Sequence, residues 1–529
     1  MATTEKDKSL ALRRHTALVS SVSQQIAHFH TQKTPFRIFH GNTNSTRPSE
    51  RTKTGTIDIS ALDNVLSVSP AERTCLVEPN VPMDVLVAAT LPYGLVPPVI
   101  PEFPGITVGG GYAGTAGESS SFRYGFFDRT VNWIEVILAD GKIVIASENE
   151  REDLFRGTAG TFGTLGVTTL FEVRLIPAKS FVELAYIGVQ SIEEAQAVMK
   201  QVGEGEEMDF LDGIMFARDK GVVMAGKFSE QHEKNRELNV VTFTKPWDPW
   251  FYLHAEKMVN LTPSSSKRTS NGEDARQIQA LISTAPQDLI PLTDYLFRYD
   301  RGAFWTGKFA YSWFLTPFNR LTRWLVDHWM HARTMYHALH RSGLINRFII
   351  QDVAVPNRNI PAFSSWLDEY LPHIYPRWLC PLKLHETVSM HPHLAPPAAR
   401  DEDSLLNIGV WGPTPKGMLQ ISVNRRIEAE LKRLEGMKWL YAQTFYTEAE
   451  FWAIYDRDWY DGLRRKYRAE GLPSVYEKVR TRFEIDEQGA VVGDMRMGIE
   501  KGFWSIWPFA GVYGLLSMLK GGDYLRKKT

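Results

Sequence analysis

Pro101–Asp128, PEFPGITVGGGYAGTAGESSSFRYGFFD, decides how the rest of this chain is read. Glycine, serine and threonine crowd into one loop between two stretches with strand character. A second glycine-rich turn follows at Gly157–Val167, GTAGTFGTLGV. Glycine has no Cβ and tolerates φ > 0, so main-chain N–H groups in such loops can close around a pyrophosphate. Two loops with a strand hairpin between them predict a dinucleotide buried in an α+β domain.

Gly109, Gly111 and Gly114 spell G-x-G-x-x-G, and Glu135 follows at the spacing of a ribose-binding acid. The context argues against a Rossmann unit, in which the loop leaves a strand and opens a helix. Pro97, Pro98, Pro101 and Pro104 precede this loop, and proline removes strand donors. Gly117 and Ser119–Ser121 follow it and make a poor helix interior. Glu135 falls inside Trp133–Ala146, WIEVILADGKIVIA, which reads as a hairpin on an Asp140-Gly141 turn.

The run TVGGGYAGTAGESSSFRYGFF resembles the flavin-binding signature of the vanillyl-alcohol-oxidase/PCMH superfamily, and more narrowly the delta-24 sterol reductase (DIMINUTO-type) family. Val77–Met83 (VEPNVPM), Glu135–Gly141 (EVILADG), Asp153–Phe155, Gly163–Gly166 (GTLG) and Glu172–Ala178 (EVRLIPA) fit it too. So do Gln351-Asp352, Tyr375–Pro381 (YPRWLCP) and Trp439–Phe451 in the second half. The resemblance covers most of the chain, from about Thr34 to about Val479.

It implies an α+β fold: a PCMH-type, two-subdomain FAD-binding domain with an α+β cap for substrate. The boundaries it suggests are a helical segment at 1–33, the FAD domain at 34–177 and the cap at 178–436. A return segment at 437–485 packs on the FAD domain, and an amphipathic tail occupies 486–529. The first pyrophosphate loop would be Phe36–Arg47, with His40, Gly41, Asn42, Thr43 and Asn44 as cofactor residues. The main loop would contribute Thr107, Val108, Gly109, Gly110, Gly111, Tyr112, Ala113, Gly114, Thr115, Ala116, Gly117, Glu118, Ser119 and Ser120. The second turn would add Gly163, Thr164, Gly166 and Val167. Some superfamily members attach flavin to a histidine that follows two glycines. His40 instead precedes Gly41, so noncovalent FAD is favoured.

The activity implied is NADPH-dependent saturation of a C24–C25 side-chain double bond in a sterol or related terpenoid. That alkene is unconjugated, so it needs a proton on one carbon and hydride on the other, in a dry pocket. Glu118 and Tyr124 are the acid candidates, with Tyr441, Tyr446 and Asp352 behind them. Glu118 could equally hold the Ser119–Ser121 turn by hydrogen bonds. A flavin oxidase or dehydrogenase of a lipid-like substrate, and a redox-neutral flavoprotein isomerase, are the competing readings. No second Rossmann unit is present for NADPH, which would reach the substrate side of the same flavin.

A formal net charge of −1 gives no pull toward nucleic acid. Two cysteines build no disulfide framework. Met1–Arg14 is charged and reads as neither signal nor anchor. Phe503–Leu519, uncharged and aromatic with Lys520, Arg526, Lys527 and Lys528 behind it, suits a membrane interface. The location implied is the cytosolic face of the endoplasmic reticulum membrane. His328, His331, His337 and His340 share a helical spacing without a zinc signature, so no metal is expected. The stretch before them, FWTGKFAYSWF, suggests a greasy entrance for a lipid. Val19–Gln32 and Arg425–Glu435 read as helices, the latter with Ile427, Leu431 and Leu434 on one face and Gly436 as its cap.

Overall fold

The computed structural model describes residues 5–41, 46, 47, 55–230, 238–260, 275–342, 344–384, 389–391, 404–483 and 516. Asn42, Thr43, Asn44, the polar loop Thr262–Asp274 and, apart from Leu516, the C-terminal tail lie outside them. The fold is α+β, with two antiparallel sheets at its centre.

The smaller sheet has five strands in the order Val65–Ser69, Thr74–Val77, Gly166–Arg174, Val131–Leu138, Ile143–Ser147. Its last two strands form the hairpin read from Trp133–Ala146. Gly141 turns that hairpin at φ +88°. A Cβ there would meet Ala27 Cβ at 2.8 Å, because a long N-terminal helix lies across the turn. Ser23 Oγ on that helix donates to the Gly141 carbonyl at 2.6 Å.

This helix runs over Glu5–Thr31, so it begins well before the expected Val19. Leu, Ala, Lys and Arg fill the extra turns and favour helix. Val19, Val22 and Ile26 bury one face. His15, 3% exposed, fastens the earlier part, with Nδ1 2.8 Å from Glu78 and Nε2 3.2 Å from Glu135. Glu135, the apparent ribose acid of the glycine motif, is thus a docking residue; its Oε1 also accepts from Thr169 Oγ1 at 2.6 Å.

The larger sheet has eight strands in the order Gln287–Pro291, Phe181–Val189, Lys220–Ser229, Phe210–Ala217, Arg377–Lys383, Ser404–Pro413, Phe348–Pro356, Met437–Lys438. Side chains alternate across it with period two. Leu379, Leu406, Ile408, Val410 and Val353 meet a layer containing helices Ile192–Glu204, Ile360–Tyr370 and Gln420–Arg433. Trp378, Cys380, Leu382 and Trp411 face the other way, toward the core shared with the smaller sheet. Leaving the large sheet at Lys438, the chain returns to the small-sheet unit. Trp439 Nε1 donates to the Thr115 carbonyl at 2.9 Å, and Tyr460 Oη donates to Thr164 Oγ1 at 2.7 Å. Met437–Lys438, expected on the flavin domain or at the seam, pairs with Val353 and Ala354 at the edge of the large sheet.

Three local expectations are corrected. The main glycine loop is partly helical, over Val108–Ala113 and Ser121–Tyr124, because Thr107 Oγ1 caps the first segment by accepting from Gly110 N–H at 3.1 Å. Helix Gln420–Arg433 ends with Glu435, at φ +56°, in the left-handed position assigned to Gly436. Gly436 is needed for space, since a Cβ would meet Val355 Cγ1 at 2.6 Å. The four histidines do not share one helix: the chain breaks between Arg320–Leu325 and Ala332–Ser342, where His331 pairs with Asp300 at 2.6 Å. Among the described residues no His/Cys/Asp/Glu group could hold a metal.

His15 carries a pH prediction. Burial alone would depress its pKa, but the hydrogen bonds from Glu135 and Glu78 outweigh it and hold the group up at about 9 against its ordinary 6.5. A raised folded pKa stabilises fully below pH 6.5 and is lost as pH climbs through 9. Urea unfolding should show a loss on the order of 1–3 kcal/mol across that window. The His15→Gln variant should be less stable below the window and nearly flat across it.

Candidate active site

A cavity of about 390 Å³ lies between the small-sheet unit, the face of the large sheet and the returning segment. Its charged lining is sorted by sign. Arg37, His40, Arg47 and Lys478 are the basic members, and Glu102 and Asp352 the acidic ones.

The basic residues surround the first loop and the second glycine turn. Arg47 stacks on the Phe162 ring at 4.2 Å and donates to the Lys478 carbonyl at 3.4 Å. Lys478 Nζ donates to the Phe162 carbonyl. Gly163 beside it has φ +75°, and a Cβ would meet Ile38 Cδ1 at 2.6 Å, so this turn accepts only glycine. Burial, then Arg47 and Arg37, push the Lys478 ammonium down to about 7. His40 keeps accessible surface, yet burial by surrounding protein and the charges of Lys478 and Arg47 act in the same direction and hold it near 4. Three cations brought together, with no carboxylate among the described residues that line this end of the cavity, fit a multiply charged anion such as a diphosphate.

The main loop serves this groove differently from the expectation. Gly109, Gly110, Gly111 and Gly114 spend their N–H groups on Pro79, Thr107 and Gly110 oxygens, so these four do not point at a phosphate. Their smallness answers a packing constraint: Cβ atoms would lie 2.9 Å from Pro79 at Gly109, and 3.1 Å from Met83 Cε at Gly111. The result is a flat strip of cavity floor with almost no side chains, which suits a planar ring system.

Beyond that strip the cavity is aromatic. Phe103, Phe304, Tyr336, Trp378, Trp411 and Trp439 line it. Phe304 packs against Trp411 at 4.8 Å and Trp378 at 5.3 Å between ring centroids. Ala303 and Phe304 hold φ of +42° and +61°, an uncommon conformation for side-chain-bearing residues that sets the Phe304 ring on this wall.

Two carboxyls meet this wall. Asp352 accepts from Tyr441 Oη at 2.5 Å and Trp411 Nε1 at 3.2 Å. Burial raises it to about 6 against those hydrogen bonds. Glu102 is 7% exposed, and its Oε1 has no hydrogen-bond partner. Burial, reinforced by the neighbouring Glu118 and opposed by Arg298, pushes the Glu102 carboxyl well above the usual range, which favours its protonated form.

Of the residues expected at the cofactor, His40, Thr107, Gly109, Gly110, Tyr112, Ala113, Gly114, Ala116, Gly117, Gly163, Gly166 and Val167 line the cavity. Gly41, Val108, Gly111, Thr115, Glu118, Ser119, Ser120 and Thr164 are not among the lining residues. Glu118 and Tyr124, the acid candidates, border a separate void of about 10 Å³. Both Glu118 oxygens are occupied: Ser119 Oγ donates at 2.7 Å, Ser120 N at 3.0 Å, and Ser120 Oγ as well. Its second suggested role, holding the serine turn, is the one its contacts describe. Arg37, Phe162, Lys478, Glu102, Phe103, Phe304, Tyr336 and Trp411 were not singled out from the sequence. Glu102 and Phe103 lie in the quoted glycine loop, Phe162 in the second glycine turn, and Phe304 opens the stretch read as a lipid entrance, but none was assigned a place at the site.

Lys478→Gln should weaken FAD binding about 10–100-fold, the worth of a buried charge-assisted contact. A bound diphosphate would draw the Lys478 pKa back up from about 7, so binding above that pH takes up a proton. FAD affinity of the parent should fall as pH rises above 7, and the variant should lose most of that slope. Quenching of flavin fluorescence measures both.

Residues 17–147 match a family model described as an FAD binding domain. The chain is 28% identical over 490 residues to Delta(24)-sterol reductase of Macaca fascicularis and of Homo sapiens, covering 89% of this chain and 87% of each relative. It is 28% identical over 463 residues to Delta(24)-sterol reductase of Pisum sativum, covering 80% and 76%. A shorter match, 27% over 137 residues and 25% of this chain, is to cytokinin dehydrogenase 9 of Oryza sativa subsp. japonica. The chain is thus similar over most of its length to delta-24 sterol reductases, and with its FAD binding domain it is an FAD-dependent oxidoreductase.

Proposed function

We propose that this protein saturates an isolated side-chain double bond of the C24–C25 type in a sterol or related terpenoid, with noncovalent FAD as cofactor and NADPH as reductant. The small-sheet unit is then a two-subdomain PCMH-type domain, and the large-sheet unit is its substrate cap. The observation that carries this reading is the join between a basic, side-chain-poor groove and an aromatic chamber bordered by a buried carboxyl, Glu102, whose Oε1 has no hydrogen-bond partner.

FAD, when bound, supplies two-electron transfer to a carbon centre. The rest falls to the chain. Arg47, Lys478 and His40 hold the anionic part of the cofactor. Glu102 gives its carboxyl proton to the less substituted alkene carbon, and positive charge develops at the tertiary carbon. The faces of Phe304, Trp378 and Trp411 stabilise that charge, each worth about 0.5–2 kcal/mol. Asp352, held by Tyr441 and Trp411, offers negative charge to the same wall. The apolar lining excludes water that would trap the cation. Glu118 and Tyr124 support the loop from behind, and the nearby Glu118 carboxyl opposes ionisation of Glu102. We place the reaction at the cytosolic face of the endoplasmic reticulum membrane. No helix among the described residues is long and apolar enough to cross a membrane.

In an anaerobic spectrum, NADPH should bleach the flavin and desmosterol should restore its colour with formation of the saturated sterol. Failure of NADPH to bleach it would sink the proposal in favour of an oxidase or redox-neutral role. Glu102→Gln should leave bleaching by NADPH within about threefold and slow recovery by the alkene about 10²–10⁴-fold, the usual contribution of a general acid. In the infrared, the protonated-carboxyl band of the parent should be missing from the variant. Equal slowing of both half-reactions would remove Glu102 from the role of proton donor.

A further inference from the structure

Large apolar side chains left in water are concentrated in one short run of this chain. Phe314 is 40% exposed, Leu315 74%, Leu321 62%, Trp324 49% and Leu325 58%. They lie on helix Arg320–Leu325, which buries no residue at all, and on the turn after helix Gly307–Trp313. Single exposed leucines are ordinary, but a contiguous group of this kind marks a surface that meets something apolar.

The run is held from beneath. Asn319 and Thr322 close a reciprocal cap on the short helix, and Thr322 Oγ1 donates to the Pro317 carbonyl at 2.5 Å. The Phe318 ring packs on Tyr311 at 5.0 Å and Trp250 at 5.3 Å. Arg323 covers the same ring at 5.0 Å. The underside is therefore fixed while the outer face stays apolar.

Charge identifies the occupant. Between Gly302 and Arg347 the only carboxylate is Asp327, which is buried and paired with Arg301 at 2.6 Å. Lys308 and Arg320 are exposed around the apolar group. Two copies meeting through this run would set Lys308 and Arg320 against themselves with no exposed acid of the run to answer them. A layer of anionic headgroups over hydrocarbon matches both the basic rim and the apolar centre. The run is also flanked by cavity wall on both sides in sequence: Phe304 precedes it and Tyr336 follows it, and both line the chamber.

We propose that Phe314–Leu325 is a docking platform that seats this protein on an anionic bilayer, next to the chamber wall. Leu315, Leu321, Trp324 and Leu325 enter the interface, and Lys308 and Arg320 meet the headgroups. This inference is independent of the reaction assigned above, because vesicle binding is read without turnover.

The test uses the full-length flavoprotein and vesicles of equal parts phosphatidylcholine and phosphatidylserine. Leu315→Glu/Leu325→Glu should lower co-sedimentation at least about tenfold. Arg320→Ser should lower it about fivefold, on anionic vesicles alone. Bound flavin absorbance should match the parent in every variant. The native cysteines are buried, so Leu315→Cys can be labelled selectively with a polarity-sensitive dye. Its emission should shift to the blue on adding vesicles. Unchanged co-sedimentation of the double variant, or a dye blind to vesicles, would overturn the platform and move membrane contact elsewhere. A shift that appears without lipid and grows with protein concentration would overturn it in favour of self-association.

Discussion

The cavity depends on one crossing of the chain. Lys438 is the last residue of the large sheet and is fully buried, donating to Glu428 at 2.9 Å and the Gln443 carbonyl at 2.6 Å. Glu428 in turn accepts from Phe445 N–H at 2.9 Å. Such a buried pair adds little net stability against an apolar substitute, but removing one partner costs about 3–5 kcal/mol. Its contribution is therefore geometric: it fixes where the chain turns away from the sheet. The next residue, Trp439, reaches the Thr115 carbonyl, and Tyr441 reaches Asp352. Contacts from Tyr460 to Thr164 and from Tyr467 to Asp153 then carry the segment along the small-sheet unit until Lys478 enters the basic groove. One stretch of chain thus supplies both chamber wall and groove charge, which fixes the position of the two ends of the cavity relative to each other.

The two ends of the cavity need opposite electrostatics. In the groove, burial and then the like charges brought together depress Lys478 and His40, a cost that an anionic ligand would offset on binding. In the chamber, burial raises Glu102 and Asp352, and aromatic faces replace water. A side-chain-poor floor between them separates the clusters. Had carboxylates entered the groove, they would have neutralised the attraction for phosphate.

Much of this was legible in the sequence where the signal is local. Hairpin Trp133–Ala146, the strand at Cys75 and the apolar face of Ile427, Leu431 and Leu434 follow from alternation, turn residues and helical spacing. The glycine loops pointed to the right region. What the loops do was misread in part, because glycine composition does not distinguish a backbone that opens to a ligand from one that must pass close to Pro79 and Met83. Glu135 shows the same limit: its spacing from the glycines suggested a ribose, but its partner His15 lies 120 residues away. Lys478 and Phe304 were hidden for that reason too, since their place in the cavity is made by contacts between distant parts of the chain.

Three carboxyls near the chamber show why environment, rather than residue type, assigns the acid. Glu118 lies in the conspicuous motif, yet its oxygens are occupied by the serines and their backbone. A proton released there would need those bonds to rearrange. Asp352 is gripped by Tyr441 and Trp411, donors that favour its ionised form and so its electrostatic use. Glu102 has an oxygen with no donor, lies on the cavity and feels the nearby Glu118. Donors that would stabilise its carboxylate are lacking at that oxygen, and a second acid opposes its ionisation. Those are the conditions that keep a carboxyl neutral until a substrate carbon accepts its proton. The serine-rich turn after the glycine loop therefore acts electrostatically as well as structurally: it holds in place the Glu118 carboxyl that, after burial, opposes ionisation of Glu102.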